Sequence, residues 1–300
     1  MKPLLVVLPG SEHLAHGLRS GLDAEQASIA LRRFPDGETY WRYDTSPRGR
    51  RVLLLCSLDR PDDKVLPLLF AAAAARDLGA SSVGLLCPYL AYMRQDRRFQ
   101  PGEAITSAYF AQILSRAVDW LVTIDPHLHR RSSLSEIYTV PALALHAAPL
   151  ISSWIKKSVQ NPLLIGPDAE SAQWVADVAQ DANAPHIVLQ KTRLGDRDVQ
   201  ISVPDVARWR QHTPVLVDDT ISTARTMIET VSHLKSAGMR PPTCVGVHAI
   251  FAGDAYEDLR KAGAIRIVTL NTVHHQSNGI DVSDLLAEAV RGRLGMTARG

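Results

Sequence analysis

Residues Asp218-Asp219-Thr220-Ile221-Ser222-Thr223-Ala224-Arg225-Thr226 put two acids, four hydroxyls and an arginine into nine positions. Apolar or β-branched residues Pro214 to Val217 run straight into them, and a helical pattern of Met227, Ile228, Val231 and Leu234 follows. A buried parallel strand that ends in carboxylates and turns into a helix places its chemistry at the carboxyl edge of a sheet. Loop amides and the hydroxyls of Ser222, Thr223 and Thr226 can hold a phosphate at the helix N-terminus. Asp218 and Asp219 would repel that phosphate and suit sugar hydroxyls or a metal instead. One loop thus offers both halves of a grip on a phosphorylated sugar. The plainer reading of the same residues is a strand-to-helix turn with an N-cap threonine.

Other residues with chemical potential sit after strand-like runs. Pro88 to Arg98 carries two tyrosines and Arg94, Arg97 and Arg98 directly after the run Val83 to Cys87. Arginine forks onto phosphate and stacks on a base. Phe34-Pro35-Asp36-Gly37-Glu38 reads as a turn between two short strands. Asp125-Pro126-His127-Leu128-His129 follows Trp120 to Ile124. His127 and His129 share a face on extended backbone, but no third ligand stands at a zinc spacing. Gly166-Pro167-Asp168-Ala169-Glu170-Ser171 bridges a strand and a helix, where an acid is often only a cap. Lys191-Thr192-Arg193 opens a polar loop that runs to Val199. Walker, dinucleotide-binding and protein-kinase signatures are missing.

The elements that must position these residues alternate. Short β-rich runs (Leu4 to Leu8, Val52 to Cys56, Val83 to Cys87, Trp120 to Ile124) are interleaved with helical patterns at Ser11 to Leu22, Pro61 to Leu78 and Ser107 to Ala117. A helix near Pro149 to Lys157 precedes a second series: Leu163 to Ile165, Ile187 to Gln190, Val199 to Val203, Val215 to Val217, Val245 to Ile250 and Ile265 to Leu270. Such alternation implies parallel sheets in α/β layers. The restart near residue 146 predicts two domains, 1–145 and 146–300. The chain of 300 residues is 46% apolar and 21% charged, ordinary for a globular protein. Its net charge of +2, from 33 basic and 31 acidic residues, argues against a generic nucleic-acid binder. Cys56, Cys87 and Cys244 lie in apolar runs and read as buried thiols of a reducing compartment. Pro3 to Leu8 is too short for a signal core, and no run approaches the roughly 18 apolar residues that span a bilayer. The expectation is a cytoplasmic protein with no membrane partner.

The 217–226 segment resembles the 5-phosphoribosyl-1-diphosphate binding loop of type I phosphoribosyltransferases and of ribose-phosphate diphosphokinases (PRPP synthetases). Besides this loop, five separated segments between residues 34 and 193, in the same order, resemble the second family. The resemblance implies an α/β fold of two type I phosphoribosyltransferase-like domains, each a mostly parallel sheet flanked by helices. It implies ATP and ribose 5-phosphate as substrates, PRPP and AMP as products, Mg2+ as cofactor, and a homo-oligomer, dimer or higher. By the same resemblance Arg94, Gln95, Asp96 and Arg97 contact the nucleotide. Phe34 stacks on a neighbouring subunit's adenine, and Asp36 and Glu38 accept hydrogen bonds from its amino group or from the ribose. His127 and Asp168 hold or adjoin the metal. Lys191 and Arg193 stabilise the transferring group, on a loop that looks like the archaeal type. Asp218, Asp219, Ser222, Thr223, Ala224, Arg225 and Thr226 hold ribose 5-phosphate. Two departures stand out. Ala224 and Arg225 replace the usual glycines, and Glu170 and Ser171 stand where glycines usually follow the aspartate. A phosphoribosyltransferase would share the 217–226 loop without needing the Phe34 and Arg94 elements. A catalytically weak regulatory paralogue would lack the Lys191–Arg193 pair.

Overall fold

A computed structural model describes residues 1–128, 130–166, 171–193, 199–202 and 207–296. Chain contacts divide it into two units. The first holds Met1–Leu145, Thr272–His274 and the chain from Val282; the second holds His146–Asn271 and His275–Asp281.

The first unit is built on β1 (Leu4–Val7), β2 (Glu25–Gln26), β5 (Arg51–Leu55), β6 (Ser82–Cys87), β7 (Trp120–Ile124) and β8 (Ala142–Leu145). They form one sheet in the order β2-β1-β5-β6-β7-β8, parallel throughout. Its strands read as continuous apolar runs because helices cover both faces of such a sheet. Leu53, Leu54, Leu55, Leu85 and Leu86 are fully buried. Helices α1 (Ala15–Leu22), α2 (Asp62–Asp77), α3 (Thr106–Ala117) and α8 (Ser283–Leu294) belong to this unit. Strands β3 (Ile29–Arg33) and β4 (Thr39–Tyr43) stand apart as an antiparallel hairpin.

The second unit has the same plan. Strands β9 (Pro162–Gly166), β10 (His186–Val188), β13 (Thr213–Ile221), β14 (Thr243–Ala249), β15 (Arg266–Leu270) and β16 (Asn278–Ile280) form a parallel sheet in the order β10-β9-β13-β14-β15-β16. Helices α4 (Ala148–Ser158), α5 (Ala172–Ala182), α6 (Arg225–Ser236) and α7 (Ala255–Ala262) accompany it. An antiparallel hairpin, β11 (Gln190–Arg193) and β12 (Val199–Ser202), again follows the edge strand. The α/β class with two mostly parallel sheets is therefore present.

Three expectations change. The C-terminal segment from Val282 groups with the first unit and not with residues 146–300, because α8 packs on α1: a Cβ on Gly17 would stand 2.6 Å from Ser283, and one on Gly21 2.7 Å from Ala287. The helix expected from Ser11 opens with a single 3-10 turn, Glu12–Leu14, and α1 starts only at Ala15; the Ser11 Oγ makes no capping bond and instead accepts from the Ser57 amide at 2.9 Å. Lys191 to Arg193 is strand, not loop. The three cysteines are buried and free, and burial pushes the Cys56 and Cys244 thiols up to about 12. Among the described residues, no helix is long and apolar enough to cross a membrane.

Candidate active site

Strand β13 does not stop at Val217. It runs to Ile221, with Asp218 opposite Gly246 and Thr220 opposite His248 on β14. Successive strand residues face opposite sides of a sheet. The two acids therefore do not act as one pair. Asp218 lines a cavity of about 120 Å3 together with Thr220 and residues 221–227, while Asp219 is not among its walls. The Asp219 amide instead donates to Asp218 Oδ1 at 2.9 Å, orienting that carboxylate. Thr220 is a hydroxyl-bearing wall residue outside the expected set of Ser222, Thr223 and Thr226; it lies on the extension of β13 beyond Val217.

The cavity closes on the N-terminus of α6. Ala224, the N-cap, is left-handed with φ 54° and ψ 9°. That is the backbone the usual glycine supplies, and alanine adopts it here at a strain of roughly 1–2 kcal/mol. No acid stands in the first turn of α6, so the positive end of its dipole meets no side-chain carboxylate there and favours an anion. The loop is braced from behind: Ile250 N donates to Ile221 O and Ala252 N to Ser222 O, each at 3.1 Å. A whole-ligand pocket usually spans roughly 300–1,000 Å3, so this cavity is scaled to a phosphate and its near neighbours.

In the first unit, the loops after β6 and β7 adjoin at the carboxyl edge of the sheet. Ile124 N donates to Pro88 O at 3.4 Å. Tyr92 and Asp125 are left-handed, with φ 60° and 33°, in the loops leaving these two strands. Strained backbone of this kind gathers at functional loops. The Tyr92 hydroxyl donates to Asp62 in the first turn of α2, a bond that pushes it up to about 12. Arg94 is exposed and Gln95 half-buried, while Arg97 stacks on Phe99 at 4.9 Å. Asp96 behaves differently. Its side chain is only 3% exposed, and Arg130 Nη1 donates to both carboxylate oxygens at 3.2 and 3.3 Å. Arg131 donates to the Asp96 carbonyl at 3.2 Å. The structure thus ties the Arg94 loop to the segment that carries His127, which is half-buried. His129 and Asp168 lie outside the described residues.

The Phe34 turn caps the β3–β4 hairpin. Phe34 N donates to Glu38 O at 2.8 Å and Gly37 N to Phe34 O at 2.9 Å, with Gly37 at φ 95°. Asp36 Oδ1 accepts from the Glu38 amide at 3.2 Å, so part of its carboxylate already shapes the turn. Lys191 and Arg193 occupy alternate positions of β11, opposite Ile201 and Val199.

Comparison with known proteins agrees with this layout. Residues 4–117 match the family profile for the N-terminal domain of ribose phosphate pyrophosphokinase, and residues 133–285 match that for the phosphoribosyl transferase domain. The ribose-phosphate pyrophosphokinase of Saccharolobus solfataricus is 34% identical over 85% of this chain and 88% of its own. That of Methanopyrus kandleri is 32% identical over 97% of this chain and 100% of its own. The fold is similar to the phosphoribosylpyrophosphate synthetase of Mycobacterium smegmatis, with a TM-score of 0.86 and 23% identity over 98% of this chain and 99% of that one. The chain is an enzyme of the ribose-phosphate pyrophosphokinase family.

Proposed function

We propose that the protein transfers the diphosphoryl group of ATP to the anomeric hydroxyl of ribose 5-phosphate, giving PRPP and AMP. The observation that carries this reading is the cavity at the β13–α6 junction, which Asp218 lines together with Ser222, Thr223 and Thr226. The 5-phosphate sits on the loop amides and the hydroxyls of Ser222, Thr223 and Thr226. Asp218 accepts hydrogen bonds from ribose hydroxyls, which an acid can do and an amide does less well. Arg94 and Gln95 bind the nucleotide, and Arg97 adds charge beside them. Asp96 acts on Arg130 and holds it in place. Lys191 and Arg193 neutralise the charge that builds as AMP leaves. Phosphoryl transfers of this kind depend on positioning and charge neutralisation more than on covalent chemistry.

Among the described residues, no three His, Cys, Asp or Glu side chains form a metal cage. Mg2+ commonly takes one or two protein ligands and fills its shell with substrate phosphates and water. One imidazole at His127 and the carboxylate of Asp168 fit a cation that arrives with the nucleotide. Held by His127 and Asp168, Mg2+ would draw negative charge off the transferring group. The protein works in the cytoplasm, where its three buried thiols stay reduced.

The deciding experiment measures AMP formation from ATP with and without ribose 5-phosphate in Mg2+ buffer. AMP release that requires ribose 5-phosphate is the expected result. No AMP, or pyrophosphate release only from PRPP and a free base, would overturn the reading in favour of a regulatory paralogue or a phosphoribosyltransferase.

A further inference from the structure

The tip of the β3–β4 hairpin carries more than the turn residues. Arg32 and Tyr40 are direct cross-strand partners, and Phe34 stands two positions beyond Arg32 on the same chain. Period-two alternation puts all three on one face of the hairpin. The Arg32 guanidinium lies 4.3 Å from the centre of the Tyr40 ring and 4.7 Å from that of Phe34. The two rings meet edge to face, 5.9 Å apart at 86°. Phe34 stays 38% exposed, so part of its ring is open. The neighbouring Arg33 does a different job: it reaches Asp63 of α2 at 3.2 Å and ties the hairpin to the body of the unit.

We propose that Arg32, packed against both Tyr40 and Phe34, is a positioning residue that holds the Phe34 ring ready to stack on the nucleobase of ATP. This rests on the reading of the Phe34 turn as a nucleotide contact. An exposed phenylalanine on a two-stranded hairpin has no core to fix its rotamer. Ordering it on binding would then subtract from affinity, whereas a ring already clamped by a cation and a second ring avoids that loss. The guanidinium also brings positive charge beside a site for an anionic ligand. Arg32 touches no reacting atom, so its effect belongs in nucleotide binding and not in turnover.

The test is steady-state kinetics on the full-length enzyme with Arg32→Met, Arg32→Lys, Phe34→Leu and the double variant Arg32→Met/Phe34→Leu. Methionine keeps the aliphatic length and removes the charge. The expected result is a rise in KM for ATP of about 2–5-fold in Arg32→Met. The kcat, the KM for ribose 5-phosphate and the melting temperature should hold. Arg32→Lys should recover most of the loss. In the Phe34→Leu background the Arg32→Met change should add nothing further. If Phe34→Leu raises KM for ATP but Arg32→Met does not, Arg32 has no positioning role. An Arg32→Met effect that persists undiminished in the Phe34→Leu background would show that the charge acts by itself, and a lower melting temperature with an unchanged KM would show a purely structural role. If Phe34→Leu leaves KM for ATP unchanged, the turn is no nucleotide contact, and the proposal falls with that reading.

Discussion

At Asp218 and Asp219 a single backbone fact separates two adjacent acids that look equivalent in sequence. Because β13 continues to Ile221, only Asp218 faces the phosphate-sized cavity. Asp218→Asn should raise the KM for ribose 5-phosphate by about 10- to 100-fold, the range for losing a charged hydrogen bond. Asp219→Asn should change it only a few-fold, and neither should shift the KM for ATP comparably. Steady-state kinetics with each substrate varied in turn would check this, and equal effects at the two positions would refute the facing argument. Ala224 makes a second case. Its left-handed backbone is the one glycine adopts freely, and its side chain is buried. Ala224→Gly should leave stability within about 1 kcal/mol, since relieved strain offsets the added freedom of the unfolded chain. Ala224→Val should lose more than about 1 kcal/mol in urea unfolding and weaken ribose 5-phosphate binding, because a β-branched residue at positive φ is a true outlier. Thus the departure from glycine changes the side chain and keeps the backbone geometry of the loop.

At the scale of elements, the transfer role proposed for Lys191 and Arg193 falls on the second hairpin. Lys191 and Arg193 lie on β11 with backbone partners on β12, so both are held by a ladder and not by a free loop. Cations that act on charge developing in the transition state alter kcat more than KM. Lys191→Ala and Arg193→Ala should each lower kcat by at least about 100-fold, with KM for either substrate within a few-fold. Near-normal turnover in both would sink the assignment. The strand character of this segment was not legible in the sequence, because Lys-Thr-Arg before a polar run has no apolar alternation to reveal it. The extension of β13 was hidden for a similar reason: two acids inside a strand read as its end. The buried strands β1, β5, β6, β7 and β14 were legible to within a residue or two, since a strand covered on both faces must be apolar throughout. Short edge elements such as β2, β8 and β16 gave no such run. Motif order located the Arg94 loop, but nothing in it distinguished Asp96 from its neighbours. Only the Arg130 fork and a 3% exposed side chain do that.

At the scale of the whole molecule, the two units repeat one plan: edge strand, hairpin insertion, then four further strands in the same order. The chain reverses direction across the sheet between β1 and β5 in one unit and between β9 and β13 in the other, and such switch points are where α/β sheets bind ligands. The first unit has filled its own. Glu12 accepts from the Gly10 amide at 2.8 Å, Lys64 pairs with Asp59, and the Ser57 hydroxyl donates to the Thr272 carbonyl. An anion there would have to displace a carboxylate. In the second unit the β13–α6 loop keeps its cavity. The repeat also makes the Phe34 hairpin the counterpart of the Lys191 hairpin, so the proposed nucleotide contact and the proposed transfer residues fall on equivalent insertions. If the Phe34 clamp closes on a neighbouring subunit, as the family resemblance implies, each site needs two chains. Phe34→Ala, assayed with ATP well below its raised KM, and Lys191→Ala would each be nearly inactive alone. After verified exchange of labelled subunits, an equal mixture should regain about a quarter of wild-type activity. Random pairing gives a site an even chance of an intact Phe34 from one chain and an even chance of an intact Lys191 from the other. No recovery after demonstrated exchange, or an active monomer by light scattering, would show that each chain completes its own site.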